Sequence, residues 1–114
     1  MRDKKWFIKA EDMKELFRWK YAEGCFATDR IPVDGCKVGY MYREEPDNDI
    51  DSGWRFQAGD ENDEYMDNVE NIGIYALNTI ANYDPDIIPF LYSDYGSAFY
   101  RDCNGVFQKD MLAL

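Results

Sequence analysis

The sequence predicts a single α+β domain, an N-terminal amphipathic helix packed on a mainly antiparallel sheet with short helical turns. Three observations predict it. Apolar residues recur at helical spacing near the N-terminus; after Gly24 the pattern changes to short runs broken by Gly, Pro, Asn and Asp; and Asn104-Gly105 lies between two apolar stretches near the C-terminus. With 114 residues, 46% hydrophobic and 17% aromatic, the chain has material for one core and is too apolar for a disordered acidic tail.

Met13, Leu16, Phe17 and Tyr21 form a stripe that predicts a helix from Ala10 to Ala22. Glu11 and Asp12 in its first turn and Lys20 in its last complement the helix dipole, and Gly24 is read as a left-handed stop. Residues 1–24 are therefore expected to be a helical segment of the same domain as 25–114. Two strands are expected about a turn at Pro32-Val33-Asp34-Gly35, the second with Val38, Tyr40 and Tyr42 on one face and Gly39, Met41 and Arg43 on the other. Gly39 there suggests a close neighbour or a bulge. Glu44 to Ser52 reads as a polar loop, and Gly53 to Gly59 as a third strand with Trp54, Phe56 and Ala58 inward. Asp60 to Asn71 reads as an acidic loop with a short helical turn, and Ile72 to Leu77 as a return to the sheet. Pro85 is placed to open a helical turn that Pro89 limits. Ser97 to Tyr100 and Val106 to Gln108 then form a hairpin about Asn-Gly.

The charge is regional. Between Glu44 and Tyr100 stand fourteen carboxylates against Arg55 alone, a local net charge of -13, while residues 1–43 carry +3 and 101–114 are neutral, for a total of -10. Such a field disfavours nucleic acid and anionic lipid, whose binding draws on clustered Lys and Arg, and attracts a basic protein, although net charge also serves simply to keep a protein soluble and apart from its copies. Charges return after Trp6-Phe7-Ile8, which is too short for a secretory core, and no apolar run approaches the roughly 18 residues of a membrane span. A cytoplasmic location without membrane contact is expected. Cys25, Cys36 and Cys103 are odd in number and widely spaced, as suits reduced thiols.

Most familiar enzyme classes lack their residues here. There is no His, no Ser in a nucleophile elbow, no phosphate-binding glycine loop and too few Cys for a four-thiolate zinc site. Carboxylate chemistry remains open. Asp47-Asn48-Asp49-Ile50-Asp51-Ser52 resembles a calcium loop but has Ser52 where Gly is needed and Ala58 where a bidentate Glu belongs; a loop counted from Asp60 fails at Tyr65 and Asn71. No metal and no cofactor is expected. A run such as Asp60, Glu61, Asp63 and Glu64 reads as solvated, because a catalytic dyad needs burial to raise a pKa. Of Tyr40, Tyr42, Trp54, Phe56, Phe90, Tyr92, Tyr95, Phe99 and Tyr100, strand spacing assigns about half to the core and leaves the others as interface anchors.

The stretch Cys25 to Arg101 resembles the bacterial immunity protein 33 domain. The resemblance is carried by Ala27-Thr28-Asp29-Arg30-Ile31 with Val33-Asp34-Gly35, by Val38-Gly39-Tyr40-Met41-Tyr42-Arg43-Glu44, and by Asp51-Ser52-Gly53-Trp54-Arg55-Phe56. Gly59-Asp60-Glu61 and Asn78-Thr79-Ile80-Ala81-Asn82-Tyr83-Asp84-Pro85 complete it. It implies a small non-enzymatic α+β domain over 25–114 that neutralises a toxin used between competing bacteria. Joined to the charge, it implies a partner-binding face built from Glu44, Glu45, Asp47, Asp49, Asp51, Asp60, Glu61, Asp63, Glu64 and Asp67, with nearby Tyr or Trp anchors and a basic toxin as partner. Asp34, Gly35, Gly53, Trp54 and Gly59 read as structural, and for Asp60 and Glu61 partner contact and backbone capping are both open. The alternatives are a carboxylate-based or cation-dependent small hydrolase, and an interaction module for peptides or a second copy. The oligomeric state is not readable from the chain.

Overall fold

In the computed structural model, which describes residues 4–19 and 22–110, six strands form one mixed sheet. They are β1 (Gly24–Thr28), β2 (Tyr40–Arg43), β3 (Asp51–Gln57), β4 (Ile72–Ala76), β5 (Ala98–Arg101) and β6 (Phe107–Asp110). Two short helices, α1 (Asp63–Asp67) and α2 (Leu77–Tyr83), and a 3-10 segment, Pro85–Phe90, complete the frame. The spatial order is β4-β1-β3-β2-β5-β6, with β1 and β3 parallel and every other neighbouring pair antiparallel.

The expected helix from Ala10 to Ala22 does not form among the described residues; Lys20 and Tyr21 lie outside them. Only Ala10–Asp12 makes a 3-10 turn, and Met13 is already extended at φ -69, ψ 137. The cause is tertiary. Asn78 and Asn82, one turn apart on α2, hold the passing backbone with their amides: Lys14 N–H donates to Asn82 Oδ1 (2.9 Å), Leu16 N–H to Asn78 Oδ1 (2.8 Å), and both amide nitrogens donate to the Lys14 carbonyl (2.8 Å each). Met13, Phe17 and Trp19, all odd-numbered, pack on the core, whereas Leu16 is left 39% exposed. That parity belongs to extended chain. Gly24 opens β1 rather than stopping a helix.

The strands on either side of Pro32 are not a hairpin, because β3 lies between them. Residues 29–36 instead coil through successive turn bonds, among them Val33 N–H to the Asp29 carbonyl (3.0 Å) and Cys36 N–H to the Arg30 carbonyl (2.9 Å), too wide for a tight turn. One sheet face makes the core. Cys25, Ala27, Met41, Trp54, Phe56 and Phe99 share it, and α2 covers it with Leu77, Ile80, Ala81 and Tyr83. Tyr83 joins the N-terminal segment to this core, its hydroxyl accepting from Ile8 N–H (3.0 Å) and donating to the Pro32 carbonyl (2.9 Å).

Asp84 and Arg101 close the far end. Pro85 begins the 3-10 segment as expected, and Asp84, fully buried, caps it through Asp86 N–H (3.1 Å), accepts from Val38 N–H (3.0 Å) and pairs with Arg101. The β5–β6 hairpin forms at the Asn-Gly site, with the Asp102 carboxylate accepting from Asn104 and Val106 N–H.

Candidate functional site

The sheet face opposite the core carries the other parity of each strand. Strand register puts Ile74, Phe26, Arg55, Tyr42 and Ala98 in one row across it, and Tyr40 and Tyr100 beside Gln57 in the next. A hollow of about 290 Å³ opens on this face, lined by Phe26, Thr28, Tyr42, Glu44, Arg55, Gln57, Met66 and Ile72. A smaller depression adjoins it at Phe26, with Ile50 and Ile74 on its rim, each 67% exposed. Glu44 brings the first acidic loop to the hollow and Met66 brings α1, in the second. The two loops therefore frame an apolar floor.

Arg55 is the cation of that floor, yet its carboxylate-binding edge is already occupied. It is 5% exposed, and the Asp51 carboxylate holds it bidentately (2.9 and 2.8 Å). Nε donates to Glu44 (2.7 Å), the nitrogen that meets Asp51 Oδ1 also donates to the Trp54 carbonyl (3.0 Å), and the guanidinium lies 4.4 Å from the Phe26 ring centroid. The hydrogen bonds from Arg55, against the opposing effect of burial and with help from Asp47 and Gly53 N–H, hold the Asp51 carboxyl well below the usual carboxylate range. A cation so fully used supports the floor and leaves no fork for an incoming anion.

The ten carboxylates expected on one binding face divide by what they hold. Asp51 is buried in the Arg55 pair, and it also accepts from Asp47 N–H (2.8 Å) and Gly53 N–H (2.9 Å). Glu61 accepts from Ala58 N–H (2.8 Å), Gly59 N–H (2.8 Å) and the Thr28 hydroxyl. Glu44 and Asp60 are surface partners of Arg55 and Arg30, the latter bond 2.6 Å, and Arg30 pulls the Asp60 carboxyl downward. Glu45, Asp47, Asp49, Asp63, Glu64 and Asp67 are exposed. Asp63 and Glu64 lie in the first turn of α1, whose N-cap Asn62 accepts from Tyr65 N–H (2.8 Å).

Of the motif residues, Asp34 pairs with Arg30 (2.9 Å) beside Gly35 in the coil, and Trp54 is buried with its indole N–H on the Leu91 carbonyl (3.0 Å). Gly53 has φ +90, and a Cβ there would meet the Glu44 carbonyl oxygen at 2.1 Å. Only glycine allows β3 to run so close to the first acidic loop. Gly59 is exposed at the start of the second loop, where its N–H is held by Glu61.

The aromatic residues divide about as strand spacing assigns, with Phe90 packed against the core, but not all of the others stand by the acidic loops. Trp54, Phe56 and Phe99 are core; Tyr92 and Tyr95 lie apart, gathered with Trp19 about Arg43, which is 4.5 Å from the Tyr95 centroid. Beside the acidic loops stand Tyr42, one of the expected candidates, and Phe26, Met66, Ile50 and Ile74, which the sequence pattern did not single out. The available signal was Ile72 and Ile74 alternating in an uncharged strand. Among the described residues no group of three or more Cys, Asp or Glu side chains is arranged to hold a metal ion, and no helix is long and apolar enough to cross a membrane.

Residues 25–111 match the family described as the Immunity protein Imm33 domain. No curated protein and no solved structure matches the chain.

Proposed function

The chain belongs to the Immunity protein Imm33 domain family, and from that premise we propose that it binds and neutralises a basic bacterial toxin in the cytoplasm by occlusion, through the sheet face between its acidic loops. The observation that carries this reading is the apolar floor of Phe26, Ile50, Met66 and Ile74 with exposed carboxylates on both sides. An apolar centre within a polar rim is the anatomy of a protein interface, where desolvated anchors hold and charges steer. The contact set is Glu44, Glu45, Asp47, Asp49, Asp60, Asp63, Glu64 and Asp67. Asp51 and Glu61 support it from within.

Occlusion requires no turnover. The buried carboxylates Asp29, Asp51 and Asp84 are engaged with Lys4, Arg55 and Arg101. A hydrolase would instead need two of them to converge on a substrate with their pKa values pushed apart.

The test is association with the product of the neighbouring gene, followed by stopped-flow mixing at several salt concentrations. Reversing Asp47, Asp49, Asp63, Glu64 and Asp67 to Lys should slow association by about tenfold or more at low salt and flatten the salt dependence. Unchanged on-rates would remove the acidic rim from the mechanism. The reversal must spare Asp51 and Glu61, whose loss would unfold the loops and mimic a binding defect.

A further inference from the structure

The two edges of the sheet are unlike. β6 carries Lys109 and Asp110, charges of the kind that discourage another strand from pairing, whereas β4 reads Ile-Gly-Ile-Tyr-Ala, with no charge, no proline and Ile74 exposed. The phase of its hydrogen bonds can be read from the ladder. Asp29 N–H donates to the Asn71 carbonyl (2.7 Å) and Leu77 N–H to the Glu23 carbonyl (2.8 Å), so the bonded pairs of β1 and β4 are the odd-numbered ones, Cys25 with Tyr75 and Ala27 with Gly73. Ile72, Ile74 and Ala76 therefore turn their backbone groups outward. Ile72 N–H is taken by the Val69 carbonyl, and the Ala76 carbonyl faces the start of α2. Four groups are left along the edge: the Ile72 carbonyl, both groups of Ile74, and Ala76 N–H. No described residue outside the sheet donates to or accepts from them.

We propose that the partner docks by adding a strand to this edge, and that the strand alternates apolar with basic side chains. The inference rests on the acidic-face reading and names how that face is engaged. Backbone pairing supplies the grip, and one set of side chains falls on the same face as Ile74, beside Phe26 and Ile50. The flanks choose the charge. Asp67 lies at the end of α1, a few residues before β4, and Asp47 and Asp49 stand in the loop that carries Ile50. A second copy would bring two stretches of net charge -13 together across the same edge, so a basic strand is the complementary occupant.

A peptide of about eight residues alternating Lys and Val is the probe, titrated into the isotopically labelled full chain while amide exchange is followed by NMR. Exchange at Ile74 and Ala76 should slow by about tenfold or more at saturation, a peptide N-methylated at alternate residues should lose this protection, and a Glu-Val peptide should not produce it. Ala76→Pro removes one outward donor at a backbone φ of -79 that proline adopts. It should weaken binding about fivefold, the loss of one hydrogen bond. Shifts confined to Glu45–Asp51 and Asp63–Asp67, with Ile74 and Ala76 exchange unchanged, would overturn strand addition and leave the acidic face standing. Shifts at neither place would overturn both. A concentration-dependent dimer of the free chain that protects the same two amides would assign the edge to a second copy and overturn the proposal.

Discussion

Asp51→Asn keeps the shape of a side chain and removes the charge on which the floor of the site depends. The Asp51 carboxylate accepts two bonds from Arg55, at 2.9 and 2.8 Å, and two backbone N–H groups. An amide offers one acceptor oxygen and turns its own N–H groups toward a guanidinium that can only donate. Arg55, 5% exposed, then keeps Glu44, half in solvent, and Asp47, more exposed and 3.8 Å away, as its carboxylate partners. Breaking a buried pair from one side costs about 3–5 kcal/mol, because the remaining charge is uncompensated. At about 4 °C per kcal/mol for a domain of this size, the midpoint of thermal unfolding should fall by about 12–20 °C. Urea titration and calorimetry read this directly. The effect should also follow acid in a defined direction. The folded carboxyl lies below the unfolded value of about 3.9, so its contribution is complete above that pH and fades as pH falls toward the folded value. The difference between parent and variant should hold from pH 7 to about 5 and narrow below about 4. Replacing both partners with apolar residues, Asp51→Leu with Arg55→Met, should recover only the part of the loss due to the uncompensated guanidinium, because Asp47 N–H and Gly53 N–H stay without their acceptor. A single variant within about 1 kcal/mol of the parent at neutral pH would refute the claim that this pair is structural.

Two further substitutions test the frame around the site. Gly53→Ala places a Cβ 2.1 Å from the Glu44 carbonyl oxygen at φ +90, and it should destabilise by more than about 2 kcal/mol in urea; a neutral result would mean that the first loop is free to move off β3. Asn82→Ala removes the acceptor of Lys14 N–H and one of the donors to the Lys14 carbonyl. It should cost about 1 kcal/mol and speed amide exchange at Lys14 and Leu16 without affecting the β1–β3 ladder. Equal acceleration throughout the chain would show that the N-terminal segment does not open separately.

What could be read from the residues, and what could not, separates by distance along the chain. The β5–β6 turn, the Pro85 segment and the strand at Trp54 rest on local chemistry: Asx side chains bonding their own backbone, a fixed proline φ, period-two alternation. These were legible. The segment after Ala10 was not, because its apolar spacing fits a helix and the Asn78 and Asn82 amides that hold it extended come from 62 and 68 residues away. Alternation in β2 separated Met41 from Tyr40 and Tyr42 but could not say which face would meet α2. Within the acidic runs, Asp51 and Glu61 look like their neighbours, and only the approach of Arg55 and of the Ala58–Gly59 backbone distinguishes them. The floor was missed for the same reason: Phe26, Ile50, Met66 and Ile74 come from four separate stretches and meet only when β1 is inserted between β3 and β4.

This division among the carboxylates bears on how a surface of such charge can bind at all. Flexible acidic loops would lose the conformational freedom of each side chain and backbone step on docking, a cost set against every contact made. Here the loops are tied by their own acids. Asp51 gathers Asp47 N–H, Gly53 N–H and Arg55 at the base of the first loop, and Glu61 gathers Ala58 N–H, Gly59 N–H and Thr28 at the base of the second. Asn62 and Asn68 then cap the two helical turns that follow. The remaining carboxylates are thus presented on a backbone already held in place, so long-range attraction is available for association with little ordering left to do. It follows that the two sets should separate in experiment. Changes at Asp47, Asp49, Asp63, Glu64 or Asp67 belong in on-rates and salt slopes, and changes at Asp51 or Glu61 belong in unfolding free energy.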